Sequence, residues 1–265
     1  MEVSVIIPTY KPGSYLFDCL NSILKQDFPK DKYELVLGLN GIKNPYFTDI
    51  NSFFENSEVN YKLFYTQQKG VSHARNMALE RINSKYVIFL DDDDILSNNF
   101  ISGLYSKISA NTIVATNVKT FFTDLNCLGD DYITRCYVKC YNKREYSLFN
   151  YRGFLSSVCA KMIPFDIING FRFDEHLHVG EDAVFMFTIS RNINNIKLSE
   201  QNIIYYRRLR QGSASRIKLT FFVRIRNLLQ SLLKYSKVYF SEFNKYNFLL
   251  FISRLAAVVK CFLSS

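Results

Sequence analysis

Three segments of this chain are nearly unbroken runs of apolar and β-branched residues: Glu2–Pro8 (EVSVIIP), Tyr33–Leu39 (YELVLGL) and Tyr86–Leu90 (YVIFL). A strand with one face in water alternates apolar and polar residues, whereas a strand buried on both faces does not. Between the first two runs, Leu16, Cys19, Leu20, Ile23 and Leu24 recur at three- and four-residue spacing, which predicts a helix over Ser14–Gln26. Val71–Arg81 reads as a second helix, and Tyr61–Thr66 as a short strand before it. Strands alternating with helices predict an α/β fold, a mostly parallel sheet flanked by helices. In such sheets ligands gather beyond the carboxyl ends of the strands. Three segments stand there: Pro8-Thr9-Tyr10, the Leu39-Asn40-Gly41 turn, and four consecutive aspartates, Asp91 to Asp94.

Further along, Thr112–Val118 and Tyr132–Tyr141 read as strands, Ala183–Arg191 as a helix and Asn202–Arg208 as a strand. Beyond Arg216 the pattern is strongly helical. The expected division is a domain over residues 1–215 and a basic, amphipathic helical extension over 216–265. At 265 residues, with 48% hydrophobic content, the chain can bury a sizeable core. The six cysteines have no zinc-type spacing, so they read as reduced thiols. The apolar run Val3–Ile7 is too short for a signal-peptide core and lacks a basic flank, giving a cytoplasmic expectation.

Adjacent carboxylates about 4 Å apart repel by roughly 1 kcal/mol in water and by several times that where partly buried. The aspartate run follows a strand of the buried type, so a divalent cation would offset the repulsion. In extended chain Asp91 and Asp93 face one side together. Magnesium and manganese favour oxygen ligands, and magnesium takes one or two carboxylates plus substrate phosphates. A calcium loop starting at Asp91 would need glycine and glutamate where Leu96 and Ser102 stand. A solvated run with Asp94 opening the next helix is the competing reading.

Glu181-Asp182 precedes a predicted helix, where acids favour the helix dipole. The alternative reading is a general base for an acceptor hydroxyl. Gly70 to Asn76 (GVSHARN) opens a helix whose first amides attract anions, with Arg75 able to pair with a phosphate. No GxGxxG or Walker pattern accompanies it. His73, His176 and His178 read as packing or surface residues.

In order and spacing, VSVIIPTYKPGSYLFDCLNSILKQDFP, KGVSHARNMALERINSKYVIFLDDDD and NGFRFDEHLHVGED resemble the family 2 glycosyltransferases of the GT-A fold, over about residues 3–215. The resemblance implies a Rossmann-like sheet, a nucleotide-sugar donor (usually a UDP-sugar), a divalent cation (Mn2+ or Mg2+) and hexosyl transfer with inversion. It implies donor-binding roles for Pro8, Thr9, Tyr10, Arg75, Asp91 and Asp92, metal binding by Asp93 and the catalytic base at Asp182. Glu181 becomes an acceptor-side candidate. Arg207 and Arg208, followed by Gly212-Ser213-Ala214-Ser215, resemble a segment that closes over the donor. One departure stands out: where relatives carry Asp-Asp-Gly-Ser after the second strand, this chain has Leu39-Asn40-Gly41-Ile42. Asn40 offers both donor and acceptor, so base reading survives in altered form.

The net charge of +9 resides in the tail. From Tyr205 onward stand twelve Lys/Arg against Glu242 alone, leaving twenty-one basic and twenty-three acidic residues before it. Phe221, Phe222, Ile225, Leu228, Leu229, Leu232 and Leu233 recur there at helical spacing among arginines and lysines. That composition suits a helix lying on an anionic membrane and a glycan or lipid-linked acceptor in surface-polysaccharide synthesis. A helical pair packed on the domain is the plainer alternative. A nucleotidyltransferase would carry a glycine-rich basic loop after the first strand, poorly matched by Thr9-Tyr10-Lys11-Pro12-Gly13. A nucleic-acid binder would interleave basic residues with exposed aromatics around the sheet, so no nucleic acid is expected.

Overall fold

The computed structural model describes residues 1–141, 146–210 and 220–264. The first half runs β1 (Val3–Thr9), α1 (Tyr15–Leu24), β2 (Tyr33–Asn40), α2 (Tyr46–Phe54), β3 (Asn60–Thr66), α3 (Val71–Leu79) and β4 (Tyr86–Phe89). It continues through β5 (Ile95–Leu96), α4 (Phe100–Tyr105), β6 (Thr112–Ala115), β7 (Asn117–Phe121), β8 (Gly129–Asp130), α5 (Tyr132–Tyr141) and β9 (Lys161–Pro164). The last elements are α6 (Phe165–Ile168), α7 (Glu181–Ile189), β10 (Asn195–Leu198), β11 (Ile204–Arg208), α8 (Phe221–Ser241) and α9 (Phe248–Ser264).

The main sheet has the order β10-β6-β9-β4-β1-β2-β3. Strand β1 pairs in parallel with both β2 and β4, and β9 runs antiparallel between β4 and β6. Every residue of β1 and β2 is buried, which explains why their sequences do not alternate. Because β1 has a parallel neighbour on each side, the chain leaves it in opposite directions above the sheet, and a crevice opens there. The strand order β4-β1-β2 sets Thr9 between Asp91 and Asn40 at that edge.

A second sheet, β5-β11-β7-β8, leans against the first. The expected single strand Thr112–Val118 is two strands, one in each sheet, broken at Thr116. Tyr132–Tyr141 is a helix and not the expected strand. Its β-branched and aromatic residues suggest extended chain, yet Ile133, Thr134, Tyr137 and Cys140 bury one helical face. Helix α8 packs on α7 through Tyr235, whose ring meets Phe187 edge-on at 5.3 Å. Helix α9 returns antiparallel beside α8, with Tyr239 and Phe251 stacked at 4.2 Å.

Candidate active site

The aspartate run is a tight turn and not extended chain: the Asp94 amide donates to the Asp91 carbonyl at 3.1 Å. The expectation that Asp91 and Asp93 share a face by strand alternation therefore does not hold. Four adjacent carboxylates are kept apart by fanning them toward four separate partners. Asp91 Oδ1 accepts from Arg75 Nη2 at 2.9 Å, and Asp92 Oδ2 accepts from Thr9 Oγ1 at 2.5 Å. Asp93 Oδ2 pairs with Arg210 Nε at 2.5 Å, and Asp94 Oδ2 accepts from the Tyr205 hydroxyl at 2.6 Å. Asp94 Oδ1 accepts from the Arg208 amide at 2.8 Å, so this carboxylate ties the run to β11 and opens no helix. Burial pushes Asp94 well above the usual carboxylate range and Asp92 up to about 7.

Arg75 is the centre of the arrangement. Its position on α3 buries it to 2% exposure. One guanidinium nitrogen reaches Asp91, and the other donates to Asp182 Oδ1 at 2.6 Å, with Glu181 at 4.0 Å. A single buried cation thus links the aspartate run to the acids at the start of α7. Gly180, in the left-handed region at φ +81°, makes the turn that starts α7 on Glu181 and Asp182. Burial, reinforced by the Asp182 charge, pushes Glu181 up to about 7.

The other oxygen of Asp182 accepts from the Val158 amide at 3.2 Å and from Ser157 Oγ at 3.3 Å. Beneath that turn lies Lys161, 1% exposed, whose ammonium donates to the Ser157 and Cys159 carbonyls at 2.5 and 2.6 Å. Ser157 C=O and Val158 N–H belong to one peptide unit, so the ammonium polarises the same amide that holds Asp182. Burial pushes Lys161 down to about 8. Sequence reasoning missed this residue; its only trace is a lone lysine opening the apolar run KMIP.

At the ends of β1 and β2, Asn40 Nδ2 donates to the Thr9 carbonyl at 2.8 Å, and its Oδ1 accepts from the Gly70 amide at 3.1 Å. Asn40 therefore ties the ends of β1 and β2 to the start of α3. Tyr10 is 41% exposed at the crevice rim, and Gly41 (φ +89°) passes beneath its ring. His73, Gln68 and Asn76 all reach Glu175, at 3.0, 3.0 and 2.9 Å, which clamps the segment before α7 onto α3. Pro8 is buried inside β1, behind Thr9.

Arg207 and Arg208 diverge. Arg207 pairs with Asp131 at 2.6 Å, while Arg208 spans Asp18 at 2.8 Å and the Asp93 carbonyl at 2.9 Å. Arg210, not singled out from sequence, is the cation on Asp93. Gly212 to Ser215 lie outside the described residues. Among the described residues, no three His, Cys, Asp or Glu side chains converge as a preformed metal site. A hard cation that takes one or two carboxylates and completes its shell with diphosphate needs less. Asp93 fits that requirement: its carboxylate already holds a cationic group, the Arg210 guanidinium.

The model of glycosyl transferase family 2 matches residues 4–170, which include β1, Arg75 and the aspartate run. Glycosyltransferase GlyA of Streptococcus pneumoniae is 27% identical over 236 residues, covering 82% of this chain and 32% of the relative. The poly(ribitol-phosphate) β-N-acetylglucosaminyltransferase TarS of Staphylococcus aureus is 25% identical, covering 80% of this chain and 36% of the relative. The chain thus spans about a third of the length of these curated relatives. In fold it resembles S. aureus TarS 1–349 in complex with UDP-GlcNAc, with TM-score 0.73 and 23% identity over 90% of this chain and 67% of that one. It also resembles a Pyrobaculum calidifontis mannosyltransferase in complex with GDP-Man and Mn2+, with TM-score 0.60 and 14% identity over 100% of this chain and 75% of that one. With a GT-A sheet, a crevice at its switch point and a family match over residues 4–170, the chain belongs to glycosyl transferase family 2.

Proposed function

We propose that this protein transfers a hexosyl group, with inversion, from a UDP-sugar to a hydroxyl of a glycan or lipid-linked acceptor in surface-polysaccharide synthesis. The observation that carries the reading is the Arg75 bridge, which holds Asp91 and Asp182 on one guanidinium at 2.9 and 2.6 Å. A donor seated on the aspartate run then has its reacting carbon facing the α7 acids. The names of the relatives, an N-acetylglucosaminyltransferase among them, support the same reading.

In this mechanism Thr9, Tyr10 and Asn40 line the nucleoside, backed by Pro8, and Arg75, Asp91 and Asp92 orient the ribose and diphosphate. Asp93 would hold Mn2+ or Mg2+. That cation would neutralise charge on the departing diphosphate. Asp182 takes the proton from the acceptor hydroxyl as it attacks. Arg75, Val158 and Ser157 fix its carboxylate while leaving a lone pair on Oδ1 free to accept. Glu181 serves the acceptor side, and Arg208, on the Asp93 carbonyl at 2.9 Å, serves the phosphates, while Arg207 is held by Asp131. We assign residues 1–215 to the catalytic domain and 216–265 to a helical extension. We place the protein at the cytoplasmic face of the cell membrane, held peripherally by that extension. Among the described residues, no helix is long and apolar enough to cross a membrane.

The test is release of UDP or GDP from a panel of UDP- and GDP-sugars with Mn2+. Asp182→Asn is expected to abolish turnover while leaving Mn2+-dependent UDP binding nearly intact. Turnover that survives in Asp182→Asn would remove that residue from the base role.

A further inference from the structure

Helices α8 and α9 are apolar on two faces: Tyr235, Leu250 and Phe251 are buried against the domain, and further large apolar side chains point outward. A helix on a soluble domain faces the core with leucine and solvent with charge. Here Arg254 of α9 points inward at 5% exposure, with its guanidinium on Ser156 Oγ at 3.1 Å and on the Arg152 carbonyl. Outward along the same helix, at spacings of three, seven and four residues, stand Leu249 (57% exposed), Ile252 (44%), Val259 (41%) and Leu263 (77%). On α8 the outward stripe is Phe222 (82%), Leu229 (54%), Leu233 (69%) and Phe240 (69%). Arg226 and Lys237 are interleaved in that stripe, and both are exposed. Neither helix contains an acidic residue. Phe240 lies 6.0 Å from the Phe251 ring, so the α8 stripe adjoins α9.

From the exposed apolar stripes and their basic fringe, we infer that the outward face of α8 and α9 docks on an anionic lipid surface, with Asp182 close to the headgroups. The inference rests on the peripheral reading above and gives it a face and an orientation. Charge complementarity selects the occupant. Residues 216–265 hold nine Lys/Arg and one acid, a net of +8 out of the chain's +9. Exposed phenylalanine and leucine enter the headgroup boundary while arginine and lysine meet lipid phosphates.

The same helices are fixed to the catalytic acids. An added Cβ on Gly180 would lie 3.9 Å from Ser231 Oγ of α8. Lys234 pairs with Asp174 in the segment before α7, and the Tyr246 hydroxyl donates to the Thr188 carbonyl at 3.2 Å. The outward face of α8 is one helix diameter, about 10 Å, from the side that touches Gly180. Asp182 follows two residues later, at a depth that suits an acceptor hydroxyl carried on a lipid headgroup.

The test uses the full chain and vesicles of phosphatidylcholine, alone or mixed with phosphatidylglycerol, in a co-sedimentation assay. Binding is expected with phosphatidylglycerol, weak without it, and reduced by added salt. The pairs Leu229→Ser/Leu233→Ser and Arg226→Glu/Lys237→Glu are each expected to weaken binding about tenfold, with melting and Mn2+-dependent UDP binding unchanged. If either pair melts lower, Phe222→Ser at the most exposed position decides. Binding that ignores phosphatidylglycerol, or variants that bind like wild type, would overturn the inference. A wild-type dimer that the leucine pair dissolves would also overturn it, making the stripe a contact between copies. Vesicle binding without UDP binding would instead remove the transferase reading and leave this one standing.

Discussion

Replacing Arg75 by methionine keeps an unbranched apolar side chain and removes a guanidinium that the α7 acids share with Asp91. Arg75 is 2% exposed and reaches Asp182 and Asp91 at 2.6 and 2.9 Å, with Glu181 at 4.0 Å. Removing one partner of a buried ion pair costs roughly 3–5 kcal/mol, because the remaining charge is left uncompensated. Asp91, with 44% of its side chain exposed, regains water, while Asp182 and Glu181 at 18% and 17% do not. The loss should therefore fall toward the lower end, about 3 kcal/mol at neutral pH. At roughly 2–4 °C per kcal/mol for a chain of this size, melting should fall by roughly 6–12 °C. The loss should also depend on pH. Glu181 sits at about 7 in the folded protein, above its ordinary value of 4.5, so the folded state binds the extra proton between those values. Stability from this group is greatest below that window and declines as pH rises through it. Arg75 opposes that decline, so its removal should cost more at pH 8 than at pH 5.5. Thermal unfolding of both proteins at the two pH values is the assay. A drop below about 3 °C at pH 8, or the same drop at both, would refute the claim that Arg75 is the counter-charge of this cluster.

Two further perturbations test the supporting residues. Lys161→Met removes an ammonium whose burial holds it near 8 against an ordinary 10.5, a penalty of about 3 kcal/mol at neutral pH. Against that stand two carbonyls losing a donor at roughly 1 kcal/mol each. Melting should therefore be nearly unchanged, while UDP release from the donor falls at least about tenfold as Asp182 loses its braced turn. Unchanged turnover would reduce Lys161 to packing. Because the folded value lies below the unfolded one, wild-type stability should rise between pH 8 and 10.5, and this rise should be missing in Lys161→Met. Gly41→Ala places a methyl 2.6 Å from the Tyr10 ring at φ +89°. It should cost about 1–2 kcal/mol and weaken UDP binding, read by unfolding and calorimetry; unaltered affinity would move Tyr10 away from the nucleoside.

The strands β1, β2 and β4 and the helix α1 were legible because a doubly buried strand and a half-buried helix leave different periods in the sequence. The positions at their carboxyl ends followed from topology, so Thr9, Asn40 and the aspartates could be placed before any geometry was known. Tyr132–Tyr141 was misread because its β-branched and aromatic residues favour extended chain, while the burial that makes it helical depends on β7 and the segment after Asn150. The fanning of the four aspartates was not legible either, since it depends on partners 16 to 117 residues away. Lys161 left almost no trace, because a lone lysine in a strand reads as an exposed one. In the tail the spacing gave helices, but nothing in the spacing says which stripe faces outward.

Calorimetric titration of UDP, with and without Mn2+, into wild type and Asp93→Asn tests the central claim most directly. The account predicts binding that depends on Mn2+ in the wild type and weakens at least about tenfold in Asp93→Asn, equivalent to about 1.4 kcal/mol or more. Equal binding without metal, or an affinity untouched by Asp93→Asn, would contradict a metal-assisted donor site on the aspartate run.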